Sequence, residues 1–120
     1  EGQMIDDHLL AEKLQRFSTD RDWDPFHTPK NIASALSVEA SELLEIFQWT
    51  RGQHDWSEID DDESVRTHVE EEVADILLYL IRFASLAKID LQQAALKKMA
   101  QNAVRYPVMR SKGSDKKYNE

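Results

Sequence analysis

The sequence predicts an all-α fold, a four-helix bundle, on three observations. Apolar residues recur at helical spacing in four separate segments, capping residues bracket those segments, and no stretch of useful length alternates as a strand would. The first helix is expected over residues 6–18, with Leu9, Leu10, Leu14 and Phe17 on one face. A turn follows over residues 20–27 and carries Trp23, Pro25 and Phe26. Thr28 can cap the second helix and Pro29 suits its first position; the helix is expected to run to about Arg51, with Gly52 as its stop. A polar connection holding Trp56 and several aspartates leads to a third helix over residues 63–88, the most apolar of the four. Asp90 can cap a fourth, from Leu91 to about Val104, which Pro107 ends. Residues 1–110 read as one domain and 111–120 as a flexible polar tail.

Composition narrows the function. With 15 Lys and Arg against 23 Asp and Glu the formal net charge is −8, which repels nucleic-acid polymers but leaves a nucleotide open, since a cation can mediate between acids and phosphates. There is no cysteine, so disulfides and thiolate metal sites are excluded. No run is long and apolar enough to span a bilayer, and no signal-peptide pattern opens the sequence, so no membrane contact and a cytoplasmic location are expected. Positive charge gathers in the last quarter, from Lys97 and Lys98 through Arg105 to Lys117.

The most informative feature is acid placed where apolar residues belong. At about 100° per residue, with Glu39 at zero, Ile32 falls near +20°, Leu43 near +40°, Ile46 near −20° and Ala35 near −40°. Glu39 therefore lies within the apolar stripe of the second helix, and Glu42 lies about 60° away at its edge. On the third helix, with Glu72 at zero, Val65 and Phe83 fall near +20°, Ile76 near +40° and Tyr79 near −20°, and Asp75 follows three residues on. Four carboxylates aimed at one core repel each other and need a compensating charge. Two sources are open: buried ion pairs, for which Arg82 at the margin of the third helix is the one basic candidate, or a divalent ion. Carboxylates without cysteine or histidine in step favour a hard ion, Mg²⁺ with Mn²⁺ as an alternative. A di-iron bundle would want Glu-x-x-His pairs, and the second pair here is Glu72-Val-Ala-Asp75.

The pairs Glu39-Ala-Ser-Glu42 and Glu72-Val-Ala-Asp75 resemble the signature of the MazG-like, all-α NTP pyrophosphatase superfamily. Arg21-Asp22-Trp23, Phe26-His27-x-Pro29-Lys30-Asn31, Phe47-Gln48-Trp49, Asp75-Ile76-Leu77-x-Tyr79 and Lys98-Met99-x-x-Asn102-x-x-Arg105-Tyr106-Pro107 look like its dCTP pyrophosphatase branch, over about residues 5–107. The resemblance implies that Glu39, Glu42, Glu72 and Asp75 hold Mg²⁺, that Glu39 or Glu42 is the catalytic carboxylate, and that a nucleoside triphosphate is hydrolysed to monophosphate and pyrophosphate. It implies a base pocket from Trp23, His27, Trp49 and Tyr79. It also implies phosphate or sugar contacts from Lys30, Asn31, Lys98, Asn102, Arg105 and Tyr106. Lys98, Asn102 and Arg105 follow at steps of four and three, which puts them on one helix face. Ser37 and Ser41 depart from the small residues, glycine in particular, that relatives often carry there.

Three classes of function stay in view: this hydrolase, with dCTP-like or modified nucleotides preferred and dUTP or phosphoribosyl-ATP as the alternative; a non-catalytic helical oligomerisation module; and a metal-storage or redox bundle. Leu77, Leu78, Leu80 and Ile81 spread apolar surface around much of the third helix, more than one small bundle buries. The resemblance implies a homotetramer, a dimer of dimers. Light scattering at micromolar concentration is expected to return an oligomer mass, and a monomer mass would rule the assembly out.

Overall fold

The computed structural model describes residues 4–49 and 56–108. All regular elements among them are helical: α1 (Asp7–Asp20), a 3₁₀ turn (Asp24–Phe26), α2 (Pro29–Ile46), α3 (Ser57–Asp60), α4 (Glu63–Ala87) and α5 (Leu91–Arg105). The chain divides into two compact units, Glu1–Ala87 and Lys88–Glu120. The anticipated tail at 111–120 lies outside the described residues.

Helices α1, α2, α4 and α5 each start on a side chain that accepts from a backbone N–H left unpaired in the first turn, whereas the short α3 starts at Trp56 without a side-chain cap. Asp6 accepts from Leu9 at 3.0 Å, Thr28 from Asn31 at 3.2 Å and Asp90 from Gln93 at 3.0 Å. Asp62 does the same for α4, accepting from Ser64 at 3.0 Å and Val65 at 3.2 Å. The α1 exit turns sharply at Asp22, whose φ of 57° is a left-handed value that aspartate tolerates better than most residues. Lys88 takes φ 59° directly after α4 and ends that helix.

Two boundaries differ from the sequence reading. The second helix ends at Ile46 rather than near Arg51; the Phe47 N–H reaches back three residues to Leu44 O at 3.0 Å and the Gln48 N–H to Glu45 O at 3.3 Å, so the last turn tightens and stops. No glycine or proline at 47–49 marks that end, and Arg51 and Gly52 lie outside the described residues. The four-residue α3 was not anticipated, because one turn is too short for a periodic pattern to register.

In the first unit α2 packs mainly against α4, and α1 and α3 pack on α4 as well. Ile32 of α2 and Ile81 and Ala84 of α4 are the buried apolar residues among those described. Burying a side chain such as Ile81 stabilises the fold by about 1.5–3 kcal/mol. Around them Ala35, Leu36, Leu43 and Ile46 of α2 and Val65, Val69, Ile76 and Phe83 of α4 are half-buried, the stripes that the periodicity identifies. Removing the α2 cap in Thr28→Ala is expected to cost about 1 kcal/mol in urea unfolding, by orphaning the Asn31 N–H.

Candidate functional site

The α2–α4 seam brings Glu39, Glu72 and Asp75 together, with one carboxylate oxygen from each lying within 4.8 Å of the others. Glu39 is half-buried, Glu72 is buried and Asp75 is exposed, so the cluster is closed on its inner side and open at Asp75. Oε1 of Glu39 and Oε1 of Glu72 are shut away from solvent with no hydrogen-bond partner among the described residues. A buried acceptor left unpaired is expensive, and two in one cluster call for a shared donor or a cation. The Glu39 carboxyl is pushed up to about 7, chiefly by a hydrogen bond with Glu72, then by burial, then by repulsion from Glu42, Asp75 and Glu72. Glu42, one turn along α2 and half-buried, thus acts on the cluster through its charge and stands outside the converging three.

No lysine or arginine pairs with these acids among the described residues. The basic side chain beside them is the exposed His68, whose Nε2 lies 3.6 Å from Glu72 Oε2 one turn away on α4. Arg82, the basic candidate from sequence, is committed elsewhere. Its Nη2 is 3.3 Å from Asp24 Oδ1, its Nη1 donates to Gln15 Oε1 at 2.8 Å and its Nε donates to His27 Nδ1 at 2.9 Å. The ion-pair account of the buried acids therefore lacks its partner. Converging hard oxygen donors, two of them orphaned, fit a divalent cation of the Mg²⁺ or Mn²⁺ type.

The Arg82 network is a second polar centre. The Ser18 hydroxyl donates to Asp24 Oδ1, Gln15 Nε2 donates to both Asp24 oxygens at 3.2 Å, and Thr19 Oγ1 donates to Asp24 Oδ2 at 3.3 Å. The Ser18 bond foremost holds the Asp24 carboxyl below its usual range, against the opposing effect of burial; Thr19, Gln15 and Arg82 add to it. Sequence reasoning missed Gln15, Ser18 and Asp24. Ser18 carried a signal, since it follows Leu14 by four residues and Ala11 by seven on the inward face of α1, and it is the most buried polar residue described.

The other expected site residues fall as follows. The Trp23 ring meets Phe17 edge-on at 5.7 Å and His27 at 6.5 Å, so Trp23 and His27 form a joined aromatic corner. Asn31 brackets the α2 start, donating from Nδ2 to Phe26 O at 2.9 Å, and Lys30 beside it is exposed. Tyr79 is half-buried on α4 one turn beyond Asp75. Trp49 stands 89 % exposed in the turn after α2. Lys98, Asn102 and Arg105 belong to α5 in the second unit, where the Tyr106 N–H closes the helix on Asn102 O at 2.8 Å and the Arg105 guanidinium lies 5.9 Å from the Tyr106 ring centre.

An all-helical chain with a partly buried carboxylate cluster between two helices is the class that this geometry defines. A family model makes it specific: residues 34–120 match the MazG-like family, and the chain belongs to that family. It is 43 % identical over 108 residues to dCTP pyrophosphatase 1 of Bos taurus and 39 % identical to that of Homo sapiens, each match covering 87 % of this chain and 61 % of the relative. The chain thus spans about three-fifths of the length of these relatives. A solved structure of a pyrophosphatase from Archaeoglobus fulgidus shares 38 % identity at a TM-score of 0.73, covering 89 % of this chain and 97 % of that one.

The raised Glu39 carboxyl sets a pH dependence. Folded protein holds this proton more tightly than unfolded protein, so the contribution to stability is full below about pH 4.5 and is lost as pH rises through about 7. In a chelator, the melting temperature is expected to rise as pH falls from about 8 to about 6, and Glu39→Gln is expected to flatten that rise. An unchanged slope in the variant would assign the effect elsewhere.

Proposed function

We propose that this protein hydrolyses nucleoside triphosphates, dCTP-like or modified ones foremost, to the monophosphate and pyrophosphate with Mg²⁺ as cofactor, a role in clearing the nucleotide pool. The observation that carries the reading is the Glu39–Glu72–Asp75 cluster with its two orphaned oxygens. Similarity to dCTP pyrophosphatase 1 and to a pyrophosphatase of like fold supports the reaction class. Glu39, Glu72 and Asp75 would hold the ion, with Glu42 as the fourth acid beside them. When bound, the ion would neutralise charge on the triphosphate and make water more acidic.

The chain's own residues supply the rest. Glu39 or Glu42 takes a proton from the attacking water, the general-base role that a carboxylate beside the reacting phosphate can fill. Trp23 and His27 meet the base, together with Tyr79 and Trp49. The basic face of Lys98, Asn102 and Arg105, with Tyr106, and the exposed Lys30 beside Asn31 meet phosphates or sugar. Such groups act by positioning the chain of phosphates and stabilising charge on it.

An oligomer belongs to the same reading. The first unit buries few apolar side chains, while Val73 and Leu80 of α4, seven residues and about two turns apart on one face, stay exposed, as does Leu44 of α2. A homotetramer would cover such surface and could complete the sites.

Each canonical dNTP and NTP is to be incubated with the protein, with and without Mg²⁺, and products separated by chromatography. Mg²⁺-dependent monophosphate and pyrophosphate, led by one pyrimidine nucleotide, is the expected result. Glu39→Ala and Asp75→Ala are expected to lower kcat by at least about a hundredfold. Diphosphate and orthophosphate would place the cut at the wrong bond, and near-normal turnover in both variants would sink the cluster as the site.

A further inference from the structure

Arg82 is 3 % exposed, the buried positive charge among the described residues, and it spends its donors on three neutral or acidic partners rather than on the acidic cluster. One of those partners constrains an imidazole. A guanidinium has no acceptor and keeps its proton throughout the physiological range, so the bond from Arg82 Nε requires a lone pair on His27 Nδ1. A neutral His27 must then carry its single hydrogen on Nε2. Ser18 Oγ lies 3.4 Å from the same Nδ1, but its proton goes to Asp24, so it does not compete as a donor. The charged groups facing the ring are Arg82 from α4 and Asp24 from the 3₁₀ turn. Burial first and Arg82 second hold the imidazole below its ordinary range, and Asp24 opposes them.

The remaining nitrogen has no partner among the described residues. His27 also lines a cavity of about 270 Å³ whose other walls are Pro29, Ile32, Phe83, Leu86 and Ala87. Those walls offer apolar side chains, so a hydrogen bond made to His27 beside them faces little competition from other side-chain donors.

We propose that Arg82 is a positioning residue that locks His27 as a fixed Nε2–H donor, so that His27 meets a nucleobase through an acceptor atom of the base, a pyrimidine carbonyl oxygen or an unprotonated ring nitrogen. The inference rests on the proposed function through the contact of His27 with the base. Asp24, Gln15 and Ser18 hold the guanidinium in place, and this explains why a buried arginine and a buried serine sit in a seam that apolar residues could fill. A histidine free to change tautomer would accept donor and acceptor edges alike; a locked one discriminates between them, because the wrong edge leaves a buried polar group unpaired.

The test has two arms. Nitrogen-15 correlation spectra of the imidazoles follow His27 from about pH 5 to pH 8 in the unmodified chain, Arg82→Gln and Arg82→Lys. His27 is expected to stay neutral with its hydrogen on Nε2 in the unmodified chain below the usual imidazole range, and to titrate normally or mix tautomers in Arg82→Gln. In steady-state kinetics with the preferred pyrimidine triphosphate, KM is expected to rise about tenfold in Arg82→Gln, with a smaller loss in kcat. Arg82→Lys keeps the charge without the fork and serves where the glutamine variant fails to fold. A hydrogen on Nδ1, a ring that protonates at its ordinary pH, or an unchanged KM in folded variants would overturn the proposal. If the unmodified chain turns over no nucleotide, the nucleobase reading falls, and the spectra still decide the tautomer.

Discussion

Everything in the first unit is arranged around the contact of α2 with α4, and that contact contains a conflict. Its apolar stripes drive the helices together, while Glu39 and Glu72 put carboxylates into the same seam. Apolar burial alone would favour leucine at both positions. The acids persist at the expense of unpaired oxygens and of a proton held near neutral pH, and a resident positive charge is the simplest thing that relieves both.

The two polar centres solve the burial problem in opposite ways. Around Arg82 each of the three guanidinium nitrogens donates to an acceptor, on His27, Gln15 and Asp24, and the charge is matched by Asp24. A network satisfied in that manner is rigid. Around Glu39 the account is left open, with Oε1 of Glu39 and Oε1 of Glu72 lacking a donor among the described residues. A closed network suits recognition, where a fixed shape discriminates; an open one suits an ion and a reaction, where something must arrive and leave.

Much of this was legible in the sequence. The caps at Thr28 and Asp90 and the acids within the stripes of α2 and α4 could be read directly, because helix periodicity converts spacing into facing. That Glu39, Glu72 and Asp75 converge follows from two stripes that must face each other, a pairing that periodicity permits without fixing register. The Arg82 network was not legible, since it joins residues separated by up to 67 positions and its members are polar residues of ordinary type. The end of α2 was overrun because its stop is a backbone tightening at Phe47 with no breaker residue.

The orphaned oxygens of Glu39 and Glu72 also bear on how this protein could be altered by selection. They lower the stability of the metal-free fold, so substitutions that make them apolar are among the easiest stabilising changes available. A screen for heat resistance carried out blind to chemistry would drift toward a hardier chain with an empty seam. What keeps the acids in place is therefore a demand other than folding, and the weakest point of the fold marks where that demand is felt.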